Sequence, residues 1–560
     1  MDSDLCGYAV YRYRNLYFVY YNRRHSFLEG LGINLLRSMR EPNAITKQQQ
    51  ELEEIMKTSD ISKALEGQSE SGSLEPDDFI LSERRPHRDP FIEWVYEIDL
   101  DHNIFHINGI PFFSLECLPD DESFLANISE DHYVNLACAP GCPPEHQYKK
   151  PAPPLVADSE LATYQSLLCE GTHVAMSNLL ASRDVLPSSE HVRVSLLETM
   201  IGQCMIRPDV VPIIYQIGLV SNHNQLTDQE WSTACSMANL AFIPQMFDDL
   251  PESIYHSKLT RKEFTWVRED TVVYIVTHLD DERCLRASIS RLIDAILDRD
   301  EGPGDYFGVA FSIFHCAVVK VVKDARTAMF SHTGALQFLP PFFADSPSTP
   351  GITALARLGY RIDPALFVRA AEICRWPGGL ERFGYRRDPA RSMGILQVSS
   401  VPEPTIDESD QEQSLIQVAE DAPPYTNSHH TVLPPELWRE IALDLHLLDL
   451  LAFGSVSKLC RTVASIVLRF PHIGGYRLVA VPKDRPGCLL SEYRFLHAGS
   501  FYAVRDRVST TVFVGLGNRR RMMSIPFGYR LSPCPLSVRF SAKVQRDATQ
   551  KQLVAIGDVK

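Results

Sequence analysis

LPPELWREIALDLHLLDLLAFGSVSKLCRTVA, residues 433–464, is the most strongly patterned stretch of the 560-residue chain. Pro434 and Pro435 open a helix, because their fixed φ matches the helical value and their missing N–H would be unpaired in a first turn anyway. From there Leu437, Ile441, Leu445 and Leu448 recur at spacings of four and three, with Arg439, Glu440 and Asp444 on the opposite side. Glu436 and Glu440 lie in the first turns, where carboxylates are favoured by the helix dipole. Asp449 is placed to cap a second helix, from Leu450 to about Leu459, that carries Leu451, Phe453 and Val456, with Lys458 and Arg461 at its C-terminal end. Two such short helices cannot bury both apolar faces on each other, so part of this surface is expected to meet another domain or another protein.

The stretch resembles the F-box motif, through Leu433, Pro434, Glu436, Leu437, Glu440, Ile441, Leu445, Asp449, Leu450, Leu451, Val456, Lys458, Arg461 and Ala464. Two positions depart from that pattern: Cys460 stands where Trp is usual, and Leu447 where the turn usually carries Pro. The resemblance implies a module that docks on the Skp adaptor of a cullin-RING ubiquitin ligase through Leu433, Pro434, Leu437, Ile441, Leu445, Leu450, Leu451 and Val456. The rest of the chain would then recruit an unknown protein substrate. It implies no catalytic residue and no cofactor in this chain.

Around the module, composition is that of an ordinary globular protein: 44% hydrophobic, 22% charged, with a net charge of -16. That balance speaks against nucleic acid or an anionic membrane as partner of the whole chain. Thirteen cysteines, an odd number without repeating spacing, do not form a disulfide framework and point to a reducing compartment. The N-terminus MDSDLCGYAVYRYR lacks the features of a signal peptide, and the longest apolar run, Tyr306 to Val319, is shorter than a membrane span. Cytoplasmic or nuclear residence is the expectation.

Upstream of the module, YAVYRYRNLYFVYY (8–21) reads as a β-hairpin turning at Arg14 and Asn15. Residues 46–90 pass from KQQQELEEIMK into small polar residues, an exposed helix followed by a flexible connector. FIEWVYEIDLDHNIFHINGIPFFSLECL (91–118) alternates as strands around a DHN turn and an Asn108-Gly109 hairpin signal, and could join the first hairpin in one sheet. These segments, and later FSIFHCAVVKV and SPSTPGITALARLG, are similar to uncharacterised fungal proteins to which no activity is attached.

A Pro-rich stretch, 143–154, separates this β-rich start from a helical middle. Helix signals cover 159–181 and 192–205, and Thr227-x-x-Glu230 forms a capping box. Val267 to His278 alternates toward strand. Asp280 or Asp281 caps a helix with Leu285, Ile289, Leu292, Ile293 and Ile296 on one face, and 306–322 reads as one or two buried strands.

The chemistry-bearing residues here give weak signals. Cys138, Cys142, His146 and His132 could supply soft ligands, but their spacing is not a compact finger pattern, and loop residues are the simpler reading. His315 and Cys316 are neighbours on a strand and point to opposite faces, so they cannot pair catalytically; His332 is read as a core histidine. Gly515-Leu516-Gly517-Asn518 meets neither the dinucleotide nor the P-loop pattern.

Residues 401–427, with seven carboxylates, four prolines and no Lys or Arg, read as a solvated linker. After Gly475 Lys and Arg outnumber Asp and Glu about threefold, and Arg519-Arg520-Arg521 suits an acidic surface. The expected fold is α+β: a Tyr-rich hairpin and helix (1–45), the polar segment (46–90), a mixed body (91–396), the acidic linker (397–429), an all-α module (430–474) and a short mixed basic region (475–560). The competing expectations are an unrecognised enzyme within 1–396, and an interaction protein that uses its module outside ubiquitination.

Overall fold

Arg14 and Asn15 adopt φ of 53° and 60°, the left-handed pair that matches the twist of a two-residue hairpin, and they join β1 (Gly7–Tyr13) to β2 (Leu16–Asn22). In this computed structural model the described residues are 5–58, 79–83, 85–86, 92–130, 136–168, 172–180, 188–206, 210–242, 246–247, 262–299, 302–324, 327–340, 348–360, 367, 370, 433–473, 476–482, 499–505, 508–515, 523–527, 536–546 and 553–554. The fold is α+β, in two compact units.

The first unit comprises Met1–Leu155, Gly202–Thr233 and Pro340–Ser346. After β2 come α1 (Ile33–Arg40), α2 (Ala44–Thr58), β3 (Phe79–Ser82), β4 (Trp94–Asp99), β5 (Ile104–Ile107), β6 (Ile110–Ser114) and α3 (Asp121–Ala126). The two hairpins share a six-stranded sheet in the order β3-β2-β1-β4-β5-β6, antiparallel except for the parallel β1–β4 pair. Asn108 and Gly109, at φ 53° and 80°, make the β5–β6 turn; only glycine adopts the second value without strain.

One sheet face carries Phe18, Tyr96, Ile98, Phe105 and Ile107 into a core completed by Leu36, Met39 and Phe124. Two expectations change here. The helix of the polar segment is not wholly exposed, because Leu52 of α2 is fully buried in that core. The stretch treated as connector also supplies β3, which gives the edge of the sheet a partner. A small ladder, β7 (Ile128–Glu130) with β8 (Leu136–Cys138), follows α3.

The second unit comprises Val156–Ile201, Ala234–Leu339 and Pro347–Lys560. Its first described helices are short: among the described residues of 159–181, a 3-10 turn at Asp158–Leu161 leads into Ala162–Ser166, and Met176–Leu179 follows after residues that are not helical. Longer ones are α4 (Ser188–Ile206) and α5 (Asp228–Phe242), which the division between the units cuts after Ile201 and after Thr233, so that the start of α5 and its cap belong to the first unit. Before α5 the capping box forms, Glu230 N donating to Thr227 Oγ1 at 3.3 Å and Thr227 N to Glu230 Oε2 at 2.7 Å.

After β9 (Met246–Phe247), a second sheet is built from β10 (Phe264–Arg268), β11 (Thr271–Ile275), β12 (Gly304–Phe311), β13 (His315–Lys323) and β14 (Ala328–His332), in that order, with β15 (Leu336–Gln337) on β13. The parallel β11–β12 pair is bridged by α6 (Glu282–Leu297), as a parallel connection requires. Asp281 caps α6 by accepting from Cys284 N, and Leu285, Ile289, Leu292, Ile293 and Ile296 are all buried on the sheet. The apolar run 306–322 is thus two strands, β12 and β13.

Then come α7 (Pro350–Tyr360), pinned by a buried Arg357–Glu190 ion pair of 2.7 Å, and three helices, α8 (Pro435–Asp444), α9 (Leu447–Gly454) and α10 (Lys458–Leu468). A third sheet closes the chain, with β16 (His472–Ile473) and β17 (Tyr476–Ala480) among its strands. The linker 397–429 and Arg519 to Arg521 lie outside the described residues.

Candidate functional site

Two places gather chemistry that packing alone does not require. The first is the helical module at α8 to α10. Pro434, in extended conformation at ψ 147°, ends the incoming chain and Pro435 starts α8. The helix stops at Leu445, which is extended, and α9 starts at Leu447 with no side-chain cap. Asp449 therefore lies inside the first turn of α9 and is not its cap.

Instead of one second helix running to Leu459, the chain breaks at Gly454, and Ser457 caps a third by accepting from Cys460 N at 3.1 Å. Glycine at a helix end and serine at a helix start favour that break. Lys458 and Arg461 open α10 rather than close α9, although Arg461 Nε still donates to Gly454 O at 3.5 Å. α10 supplies the apolar face that two helices alone lack.

The resulting core holds Ala442, Leu447, Leu450, Leu451, Val463, Ala464, Val467 and Leu468. Leu450 and Leu451 are completely buried, which corrects their assignment as contact residues: they hold the module together. Leu445 is half-buried. The remaining residues of the expected contact set stay accessible, Leu433 at 38%, Leu437 at 48%, Ile441 at 39% and Val456 at 71%, with Pro434 also exposed and Leu448 at 46% beside them. Leu437 and Ile441, four residues apart, lie together on the exposed side of α8, and Leu433 is exposed in the extended chain that leads into it.

The module is not a free pendant. Phe367 and Ala370 belong to its core, a Cβ on Gly454 would collide with the Phe367 ring, and the Arg461 guanidinium lies 5.6 Å above that ring. Arg477 donates to Leu443 O at the C-terminal end of α8, and β16, four residues past α10, pairs in parallel with β9.

The second place is the other face of the first sheet. Register sets Arg12 opposite both Asp99 and Tyr17, and Glu97 opposite His106. Arg85 comes in from the segment after β3. Glu97, Asp99 and His106 are completely buried.

Arg85 meets Glu97 through Nη2–Oε1 at 2.9 Å, a proper hydrogen bond, and through Nε–Oε2 at 2.8 Å, close but misaligned. Arg12 Nη1 donates to Asp99 Oδ2 at 3.1 Å, and His102 Nδ1–H donates to the same oxygen at 2.9 Å. Asp99 Oδ1 accepts from Asp101 N and His102 N, both at 3.0 Å. Burial raises the Asp99 carboxyl, but the hydrogen bond from His102, with the Arg12 guanidinium and the nearby His106, outweighs it and holds it well below the carboxylate range. Burial lowers His106, which favours its neutral form.

Ligand atoms of Glu97, Asp99 and His106 lie within 4.8 Å of one another, the one such cluster among the described residues. Donor types suit a divalent cation, but the charge balance does not. Two guanidiniums already neutralise the two carboxylates, and a dication would leave two uncompensated charges in a dry interior. The cluster fits a buried ionic strut. Its sequence signal is W-x-Y-E-I-D, in which period-two alternation puts Glu97 and Asp99 on the face opposite Tyr96 and Ile98.

The soft-ligand set does not assemble. His132 lies outside the described residues, and His146 is turned away to Cys117, its Nδ1–H donating to Cys117 O at 2.8 Å. His332 is a satisfied core histidine: Nδ1–H donates to Thr333 O at 2.6 Å, and Tyr164 OH donates to Nε2 at 3.0 Å. Cys316 is completely buried and its thiol is pushed up by that burial. No helix among the described residues is long and apolar enough to cross a membrane. No protein family, curated protein or solved structure matches the chain.

Proposed function

We propose that the protein is a non-catalytic substrate receptor, whose α8–α10 module docks a Skp-type adaptor of a cullin-RING ubiquitin ligase while other parts of the chain hold a protein substrate. The observation that supports this reading is the apolar patch of Leu437 and Ile441 on α8 with Leu433 in the extended chain before it, left in solvent on a module whose core is otherwise closed. Exposed apolar side chains four apart on one helix, as Leu437 and Ile441 are, suit a helix-in-groove contact. The likeness of 433–464 to the F-box motif names the partner. The mechanism is proximity: a tethered substrate is presented to the charged conjugating enzyme at high effective concentration.

The test is co-purification of adaptor and cullin with the full chain and with the Leu433→Ala/Pro434→Ala and Leu437→Arg/Ile441→Arg variants. All four positions are exposed, so the variants are expected to fold and to lose the adaptor. Unchanged adaptor recovery overturns the reading. Adaptor without cullin in the wild-type eluate supports instead a role of the module outside ubiquitination.

A further inference from the structure

Past β8 the chain runs through its proline-rich stretch, where exposure follows a pattern. Gln147 pairs with Phe113 of β6 in a single antiparallel bridge, and Lys149 Nζ donates to Glu116 Oε2 at 2.8 Å. Residues 149–157, KKPAPPLVA, form neither helix nor strand. Their backbone is nevertheless restricted. Pro151, Pro153 and Pro154 fix their own φ at about −65°, and each confines the residue before it to extended values, so 150–154 is set as a polyproline helix. Ala157, at φ −74° and ψ 151°, still has that conformation.

A polyproline helix repeats every three residues, so residues i and i+3 share an edge. Pro151 and Pro154, on one edge, are half-buried; Ala152 and Leu155 on the second, and Lys150 and Pro153 on the third, are exposed. Leu155 is 100% exposed, more than any other large apolar side chain among the described residues. Lys149 is occupied by Glu116, whereas Lys150 makes no ion pair among the described residues. Two exposed edges thus carry apolar bulk one turn apart, with one cation ahead of them.

The prolines decide against two kinds of occupant. Without N–H groups at 151, 153 and 154 the strip cannot be added to the edge of a sheet, and a second copy of it brings no aromatic surface. Its two edges fit a groove walled by aromatic rings, with one apolar slot for Ala152 and Pro153 and another, one turn or roughly 9 Å further, for Leu155. A carboxylate on the rim ahead of the first slot would meet Lys150. We propose that Lys150 to Leu155 is a docking strip for a protein domain with an aromatic-lined, acid-rimmed polyproline groove, of the Src-homology 3 kind. Its proline content fixes the bound conformation in advance, which lowers the ordering cost of docking. The strip shares no residue with α8 to α10, so either reading can fail while the other stands.

The experiment titrates the full chain against immobilised Src-homology 3 domains, some with acidic and some with neutral groove rims, by biolayer interferometry. Expected is saturable binding, tightest for the acidic rims. Leu155→Asp is expected to weaken it about tenfold or more. Lys150→Glu is expected to weaken it about threefold, an effect that high salt removes and Lys150→Arg does not reproduce. All these side chains are exposed, and circular dichroism checks that the variants keep the fold. No saturable binding by any of the domains, or binding that Leu155→Asp leaves unchanged, overturns the proposal. So does self-association of the chain that Leu155→Asp abolishes, because the occupant would then be a second copy.

Discussion

Glu97 has no contact with solvent, and Arg85 is what makes its burial tolerable. Removing one partner of such a pair leaves the other as an uncompensated charge, whereas removing both for apolar groups of similar volume does not. Glu97→Leu is therefore expected to destabilise the first unit by roughly 3–5 kcal/mol, and the Arg85→Met/Glu97→Leu double variant by clearly less, read as urea midpoints. The same network sets an acid limit. His106 and Asp99 both have folded pKa values below their unfolded ones, so the unfolded chain binds protons more readily. Stability is full at neutral pH, begins to fall below about 6.5 through His106 and falls further below about 4 through Asp99. Melting temperatures recorded from pH 7 to pH 3.5 should show both phases, and a flat profile would exclude the network as their source. The strand carrying these residues was legible in the sequence from its alternation. Arg85 was not, because it comes from a segment whose composition is that of a connector and its pairing with Glu97 depends on tertiary approach.

At the scale of elements, local signals that work through the backbone were read correctly: the Arg14-Asn15 and Asn108-Gly109 turns, the Thr227 box and the Asp281 cap all form. Each depends on residues within a few positions of one another, which is what a sequence displays directly. Signals that depend on distant packing were read less well. α9 ends at Gly454 rather than near Leu459 because α10 and Phe367 offer a better burial of the apolar faces than one longer helix. Phe367 contributes to a core whose other large members lie far beyond it in the chain, and no periodicity links them. Phe367→Ala should cost about 3 kcal/mol or more as a cavity opens against Gly454, and should raise amide exchange across α8 to α10 while leaving β12 and β13 protected. Uniform exchange, with no excess in the three helices, would show that the module's core closes without Phe367.

For the whole molecule the question is how the module belongs to the chain. An acidic stretch rich in proline before it suggests a pendant on a tether, and residues 433–473 do begin anew after a long span without patterned apolar residues. Three contacts within the second unit argue for attachment: Phe367 and Ala370 in the module's core, Arg477 at the end of α8, and the β9–β16 ladder, which joins residues 246–247 to residues 472–473. Burying an aromatic ring and pairing strands on both sides of the helices makes their orientation a property of the unit, and lets the apolar patch on α8 face outward in a fixed direction. Cutting the chain in the acidic stretch should then leave the halves together. A protease site inserted between Asp410 and Gln411 and cleaved under native conditions is expected to give two fragments on a denaturing gel that still co-elute in size exclusion, and Phe367→Ala is expected to weaken that association. Two separately eluting fragments from the otherwise unaltered chain would mean that the module hangs from its linker, and that the direction in which it presents the patch is set by the linker alone.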